Sequence, residues 1–316
     1  MARARVYTAC VDCLKDPRLY ERAREILPPQ RRESADRMKV ESGKRLSAGA
    51  GLLLMGALAD YICARQCGDC ALPDHKSVQP GCEGNRYSDC CSDINHGIDS
   101  DPASGFDPDF GVNVGGDHGF DSEISFGAGV DFGSLRFELG EQGKPYLPDY
   151  PGVHFNLSHS GSRVMCIVAP GEAGCDVEVV QSRHVDYVIR CLTESEQRLA
   201  RASIVDFFRI WTLKESILKL SGKGLLIPLN SFEVTLDPPG MQQSFIPGVV
   251  RLKEYDLFRR EQDDVFRREQ DDVSRQGQDD VRGQEQYCCS CAVGEGVELP
   301  EEMIQVDLRQ VLATFA

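Results

Sequence analysis

Residues Met1 to Tyr20 contain no continuous apolar h-region of the kind that opens a secretory leader. The longest apolar stretch of the chain, Ala48 to Ala59, is too short to cross a bilayer. The expectation is a cytoplasmic protein with no membrane partner. Basic residues are scarce in two segments: 66–133 holds 13 Asp or Glu against Lys76 and Arg86, and 254–286 holds 11 acids against six arginines. These segments account for about −11 and −5 of the formal net charge of −15, so the remainder lies near +1. The acidity is local, no basic footprint is present, and no nucleic-acid partner is expected. A Gly-x-Ser-x-Gly elbow is missing, which removes the Ser-His-Asp hydrolase reading. The 14 cysteines are scattered, and several, such as Cys166 and Cys288, sit inside apolar runs, as buried reduced thiols do. Cys67-Gly68-Asp69-Cys70 has zinc-ligand spacing, with Cys63, Cys82, Cys90 and Cys91 nearby. A second pair at the usual distance is absent, because Cys90 and Cys91 are adjacent.

The 316 residues, 41% of them hydrophobic, suffice for one large domain or two moderate ones. Ala2 to Cys10 reads as a strand, and Pro28-Pro29 opens a helical pattern from Arg31 to about Arg65. Residues 66–132 are rich in Gly, Asp, Cys, Ser and Asn with little periodicity, and are expected to be a disordered insertion. Strands are expected over Gly133–Leu139, His154–Leu157, Ser231–Leu236, Gln243–Val250 and Tyr287–Val293. Arg163–Ala169 and Cys175–Val180, separated by Pro170-Gly171-Glu172-Ala173-Gly174, read as a hairpin. Two helices are expected over Val185–Ala202, broken near Thr193, and over Val205–Leu220, with an amphipathic end segment over Glu301–Leu312. Within 254–286, Phe258 to Val265 repeats as Phe266 to Val273. Eight residues is too short a period for a solenoid, so a charged low-complexity insertion is expected.

Three short segments carry chemistry. In Asp176-Val177-Glu178, residues two apart on a strand share a face and can converge on one hard cation, although paired acids on a strand are more often solvated. In Trp211-Thr212-Leu213-Lys214-Glu215-Ser216-Ile217-Leu218-Lys219, Glu215 and Lys219 lie one helical turn apart. They form either an ordinary ion pair or, respectively, a third carboxylate and a phosphate contact beside Mg²⁺. Phe155-Asn156-Leu157-Ser158-His159-Ser160-Gly161 clusters hydroxyl, imidazole and amide donors suited to an anion.

In this order, Asn156 to Gly161, Gly174-Cys175-Asp176-Val177-Glu178, and Trp211 to Glu215 through Gly224-Leu225 closely resemble the Sfp-type 4′-phosphopantetheinyl transferase family. Gly143-Lys144-Pro145, Pro29-Gln30-Arg31-Arg32-Glu33 and Lys44-Arg45 match its upstream elements. The resemblance implies an α+β, pseudo-twofold fold of two similar halves with two low-complexity insertions. The N-terminal half would comprise 1–65 and 133–152 and the C-terminal half 153–316. It further implies an enzyme that moves the phosphopantetheine arm of coenzyme A onto a serine of an apo acyl or peptidyl carrier protein, as a monomer. By the same similarity Asp176, Glu178 and Glu215 would hold Mg²⁺, with Asp176 and Glu215 catalytic. Lys144, Ser158, His159 and Lys219, with Arg31 and Arg45, would contact coenzyme A. Glu196, or Glu194 in the alternative register, stands near the family's proposed general base; a carboxylate or metal-bound water would take the serine proton. Cys175 departs from an aliphatic position and Ser34 from a basic one. A coenzyme A or carrier binder without catalysis is the competing reading, disfavoured because all three carboxylates and His159 are present.

Overall fold

The computed structural model describes residues 2–66, 135–181, 185–242, 245–246, 248–257 and 285–315. The expected insertion at 66–132, apart from Gln66, and the whole of the octapeptide repeat lie outside the described residues. Two compact units are formed, Met1–Leu58 with Asp131–Ala316, and Ala59–Val130. Only the end of one helix of the second unit is described.

The elements in order are β1 (Ala2–Arg3), β2 (Arg5–Cys10), α1 (Pro17–Ile26), α2 (Pro29–Asp36), α3 (Glu41–Gln66), β3 (Glu138–Leu139), β4 (Pro145–Tyr146), β5 (His154–Ser160), β6 (Arg163–Ala169) and β7 (Ala173–Val179). There follow α4 (Val185–Ile189), α5 (Glu194–Ala202), α6 (Ile204–Ser221), β8 (Glu233–Leu236), β9 (Pro239–Gln242), β10 (Arg251–Tyr255), β11 (Tyr287–Val293), β12 (Val297–Glu298), β13 (Ile304–Gln305) and α7 (Leu308–Thr314). The content is α+β. One sheet has the order β13-β2-β6-β5 and a second the order β10-β11-β7. Their central strands, β6 and β11, are buried at six of seven positions, because RVMCIVA and YCCSCAV offer apolar or small side chains to both faces.

The helix that carries most of the site is α6. It starts where Ser203 Oγ accepts from Asp206 N at 3.2 Å, and it stops at Gly222, whose φ of 68° is the left-handed conformation that glycine adopts without strain. Phe208, Leu213, Ile217 and Leu220 are buried in the cluster that includes Cys288 and Ala292 of β11, each contributing roughly 1.5–3 kcal/mol of burial. Gly174 permits the close approach of β7 to α6: a Cβ there would stand 2.1 Å from Ser216 O.

Several expectations require correction. The helical pattern over 31–65 is two helices, parted after Asp36, and α1 precedes them, opened by Pro17 and by Asp16 Oδ1 accepting from Arg18 N at 2.9 Å. Over Glu41–Arg65, α3 is long and apolar enough to cross a membrane by length and composition, contrary to the expectation; 83% of its most apolar window is buried. β6 and β7 are not a hairpin. β6 pairs antiparallel with β5 and β2, whereas β7 pairs with β11, so the chain changes sheets at 170–172. For the same reason a division at 153 falls just before the β5–β6 hairpin and parts it from β2, with which β6 pairs, and β13 returns to β2. Of the strand expected over Gln243–Val250, the described residues 245–246 and 248–250 are not in a strand; β9 ends before them and β10 begins after them, and a segment beginning at 254 overlaps the last two residues of β10.

Candidate active site

β5 and β7 are the facing edges of the two sheets, and side chains join them. Asn156 Oδ1, Ser158 Oγ and Ser160 Oγ accept from the backbone N–H of Cys175, Val177 and Val179 at 3.0, 3.3 and 3.1 Å. The offset of 19 residues is constant, so the two strands run in the same direction with alternate side chains of β5 standing where carbonyls would stand in a parallel ladder. The serine hydroxyls then donate in turn, Ser158 Oγ to Asp176 Oδ1 and Ser160 Oγ to Glu178 Oε2, both at 2.7 Å.

A cavity of about 380 Å³ opens beside this seam. β7 contributes Asp176 and Glu178 from one strand face. α6 contributes Trp211, Glu215 and Lys219, spaced four apart on one helical face, and Trp211 stacks on Phe207 with ring centroids 6.4 Å apart. Arg31 of α2, Ser47 and Ala50 of α3, and Leu157, Ser158 and His159 of β5 complete the wall. The quoted motifs contain Trp211 and Leu157 without a role; Ser47 and Ala50 carry no sequence signal, because an apolar helix offers many equivalent small residues.

The wall is electrostatically unfinished. Lys219 Nζ donates to Asp176 Oδ1 at 2.6 Å and to Cys175 O at 3.1 Å. Burial acts against that ammonium, and Asp176 together with Cys175 and Glu215 outweighs it, holding Lys219 above its ordinary value. The partner of Lys219 is therefore Asp176 rather than Glu215. Asp176 Oδ2 is buried with no hydrogen-bond partner, as is Arg31 Nε. Burial raises the carboxyls of Glu178 and Glu215 above the ordinary range, and the charge of Asp176 raises both further. Desolvation, with Lys219 and Arg31 adding to it, keeps the His159 imidazole below its ordinary value. Burial pushes the Cys175 thiol up to about 12, which leaves it an inert neutral group behind the strand. A buried carboxylate oxygen without a donor, beside two carboxylates that repel it, is the condition a hard cation relieves. Among the described residues no three carboxylate, histidine or cysteine groups converge as a ready chelate, and Lys219 occupies Asp176 Oδ1.

The structure brings Arg31, Ser158, His159, Asp176, Glu178, Glu215 and Lys219 to one cavity and leaves three expected residues elsewhere. Lys144 lines a separate cavity of about 340 Å³ with Tyr146, Tyr150, His154 and Glu172, and donates to Glu172 Oε2, Ala173 O and Leu220 O. Arg45 is not among the lining residues of either cavity. Glu196 is corrected from general base to structural anion. It is 1% exposed, pairs with Lys214 at 2.8 Å, and accepts from Val234 N and Thr193 N. Thr193-x-x-Glu196 is a capping box at the start of α5, a spacing visible in the sequence itself.

Residues 172–281 match the 4′-phosphopantetheinyl transferase superfamily. The match takes in β7 and α6 with Asp176, Glu178, Glu215 and Lys219, and leaves Arg31, Ser158 and His159 outside it. Among curated proteins, the chain is 38% identical over 117 residues to a 4′-phosphopantetheinyl transferase of Bacillus subtilis, covering 35% of this chain and 52% of that protein. It is 36% identical to 4′-phosphopantetheinyl transferase Sfp of Bacillus subtilis (strain 168), covering 37% and 55%. It is 35% identical to 4′-phosphopantetheinyl transferase HetI of Nostoc sp., covering 35% and 51%. The resemblance to the Sfp-type family read from the motifs is thus borne out, and the chain spans about half the length of the curated relatives it matches.

Proposed function

We propose that the chain transfers the 4′-phosphopantetheine group of coenzyme A to a serine hydroxyl of an apo acyl or peptidyl carrier protein. The observation that carries this reading is the junction of three carboxylates, two cationic side chains and one imidazole in a single cavity, with the carboxylates and Lys219 on the strand and helix that match the superfamily. Asp176, Glu178 and Glu215 supply the hard oxygen donors that Mg²⁺ takes, and the partnerless Asp176 Oδ2 fits such an ion. When bound, Mg²⁺ neutralises charge on the coenzyme A pyrophosphate. Arg31, His159 and Lys219 line the same cavity and offer N–H donors to phosphate oxygens.

In the reaction, the carrier serine oxygen forms a bond to the β-phosphorus while the bridging P–O bond breaks. Adenosine 3′,5′-bisphosphate leaves with the electron pair. Glu215, whose carboxylate lines the cavity, accepts the serine proton, the role first expected at Glu196. On this reading the fold is pseudo-twofold, with β2-β6-β5 and β10-β11-β7 as its two three-stranded units, and the low-complexity segments after α3 and after β10 are insertions. A single chain supplies both units, so a cytoplasmic monomer acting without nucleic acid or membrane suffices.

Incubation with coenzyme A, Mg²⁺ and apo carriers from fatty-acid, polyketide and nonribosomal-peptide synthesis, read by intact mass, tests the proposal. A phosphopantetheine adduct is expected with wild type, lost with EDTA and in Asp176→Ala and Glu215→Ala. No adduct on any carrier of the three classes would overturn it.

A further inference from the structure

Ser158 and Ser160 stand in a motif whose expected role is contact with phosphate, yet the hydroxyl oxygens of both are already engaged. Each accepts a β7 backbone N–H, at 3.3 and 3.1 Å. Each hydroxyl proton then points to the carboxylate one residue before that N–H, at 2.7 Å. The third rung, at Asn156, uses the same seam in the same register, but the residue one before its partner Cys175 is Gly174, so that rung reaches no carboxylate. The alternation i, i+2, i+4 on β5 thus superimposes two functions: all three rungs join the sheets, and two of them also orient site carboxylates.

We propose that Ser158 and Ser160 are positioning residues that fix the rotation of Asp176 and Glu178, so that Asp176 offers Oδ2 to a divalent cation while Oδ1 is held by protein. A serine oxygen pinned by a backbone donor has its proton confined to one direction, and a carboxylate accepting that proton loses freedom about its terminal torsion. Lys219, also on Asp176 Oδ1, leaves the same oxygen, Oδ2, without a partner. Outer-shell hydrogen bonds of this kind characteristically govern metal affinity by about 10–100-fold. The inference rests on the reading of Asp176, Glu178 and Glu215 as the cation site, and it assigns the hydroxyls to the carboxylates rather than to coenzyme A.

The test is Mn²⁺ binding to the full chain with coenzyme A present, followed by electron paramagnetic resonance of free Mn²⁺, in Ser158→Ala, Ser160→Ala, Ser160→Thr and Asn156→Ala. Each serine-to-alanine change is expected to weaken Mn²⁺ by about 10-fold or more, Ser160→Thr to restore binding to within a few-fold, and Asn156→Ala to lower the unfolding midpoint without changing Mn²⁺ affinity. If Ser158→Ala does not fold, Ser160 carries the result, because its side chain is only partly buried. Affinity unchanged in Ser160→Ala, or weakened as much in Asn156→Ala as in Ser160→Ala, would overturn the proposal and reduce the rungs to sheet glue. Absence of Mn²⁺ binding in wild type would instead overturn the cation-site reading and, with it, this inference.

Discussion

Two lysines five residues apart on α6 each meet a carboxylate, and the two pairs differ in completeness. Lys214 and Glu196 are sealed, at 0% and 1% side-chain exposure. Lys214 Nζ also donates to Leu229 O and Phe232 O at 2.7 Å each and lies 4.0 Å from the centre of the Phe232 ring, while Glu196 takes two backbone donors. Lys219 and Asp176 face a cavity, with the lysine 27% exposed and one oxygen of Asp176 unpaired. The first network has its hydrogen-bonding capacity filled and joins α5, α6 and the segment before β8. The second leaves capacity open beside two further carboxylates. Residues of the same type on one helix are thus divided between architecture and chemistry by whether their surroundings satisfy them.

The comparison breaks most visibly at Lys214. Lys214→Ala leaves Glu196 charged, buried and short of a cation, a loss of roughly 3–5 kcal/mol. Urea unfolding would register it as a lowered midpoint, and a change below about 1 kcal/mol would mean that the pair contributes little to the native state.

At Glu215 the two properties should separate in the opposite sense. Glu215→Gln is expected to lower carrier modification by about 10²–10⁴-fold, the range for loss of a positioned base, with stability unchanged or higher. Glu215 sits above its ordinary value of 4.5 in the folded chain through burial and Asp176. Its favourable contribution is therefore present below that ordinary value and is lost as pH rises through the folded one. Melting curves without divalent cation should show wild type falling behind Glu215→Gln as pH rises from about 4.5. A gap that narrows over that range would contradict the crowding of the carboxylates.

The smallest effect belongs to Glu172, the exposed carboxylate outside the site. Hydrogen bonds from His154 and then Lys144 hold Glu172 at about 2. Its contribution is present above its ordinary value of 4.5 and is lost as pH falls through about 2. Because its side chain is 56% exposed, Glu172→Gln should cost under about 1 kcal/mol at neutral pH, with the difference from wild type closing as pH falls below 4.5. A cost comparable to that of Lys214→Ala would show that exposure does not separate the pairs.

Much of this architecture is legible along the chain. Phe208, Trp211, Ile217 and Leu218 announce α6 by their period, and the apolar runs of β6 and β11 announce buried strands. Thr193-x-x-Glu196 announces a helix start, and reading Glu196 as a general base overlooked that local meaning. Other features are not legible because they are long-range. Cys175–Val180 reads as the return strand of a hairpin, since nothing local distinguishes a β-strand that pairs with its predecessor from one that crosses to another sheet. Lys219 reads as the partner of Glu215, one turn away, until Asp176 is brought to 2.6 Å from it.

Local periodicity, capping and motif spacing depend on residues within one or two turns of one another, so the sequence by itself determined α6, the buried strands β6 and β11, and the motif segments that carry Asp176, Glu178, Glu215 and Lys219. The seam between β5 and β7, the sealing of Lys214 with Glu196, the separation of Lys144 from the main cavity and the unpaired oxygen of Asp176 were decided by tertiary structure alone. Each depends on which distant groups satisfy a buried polar atom, and that follows from the packing of whole sheets and helices.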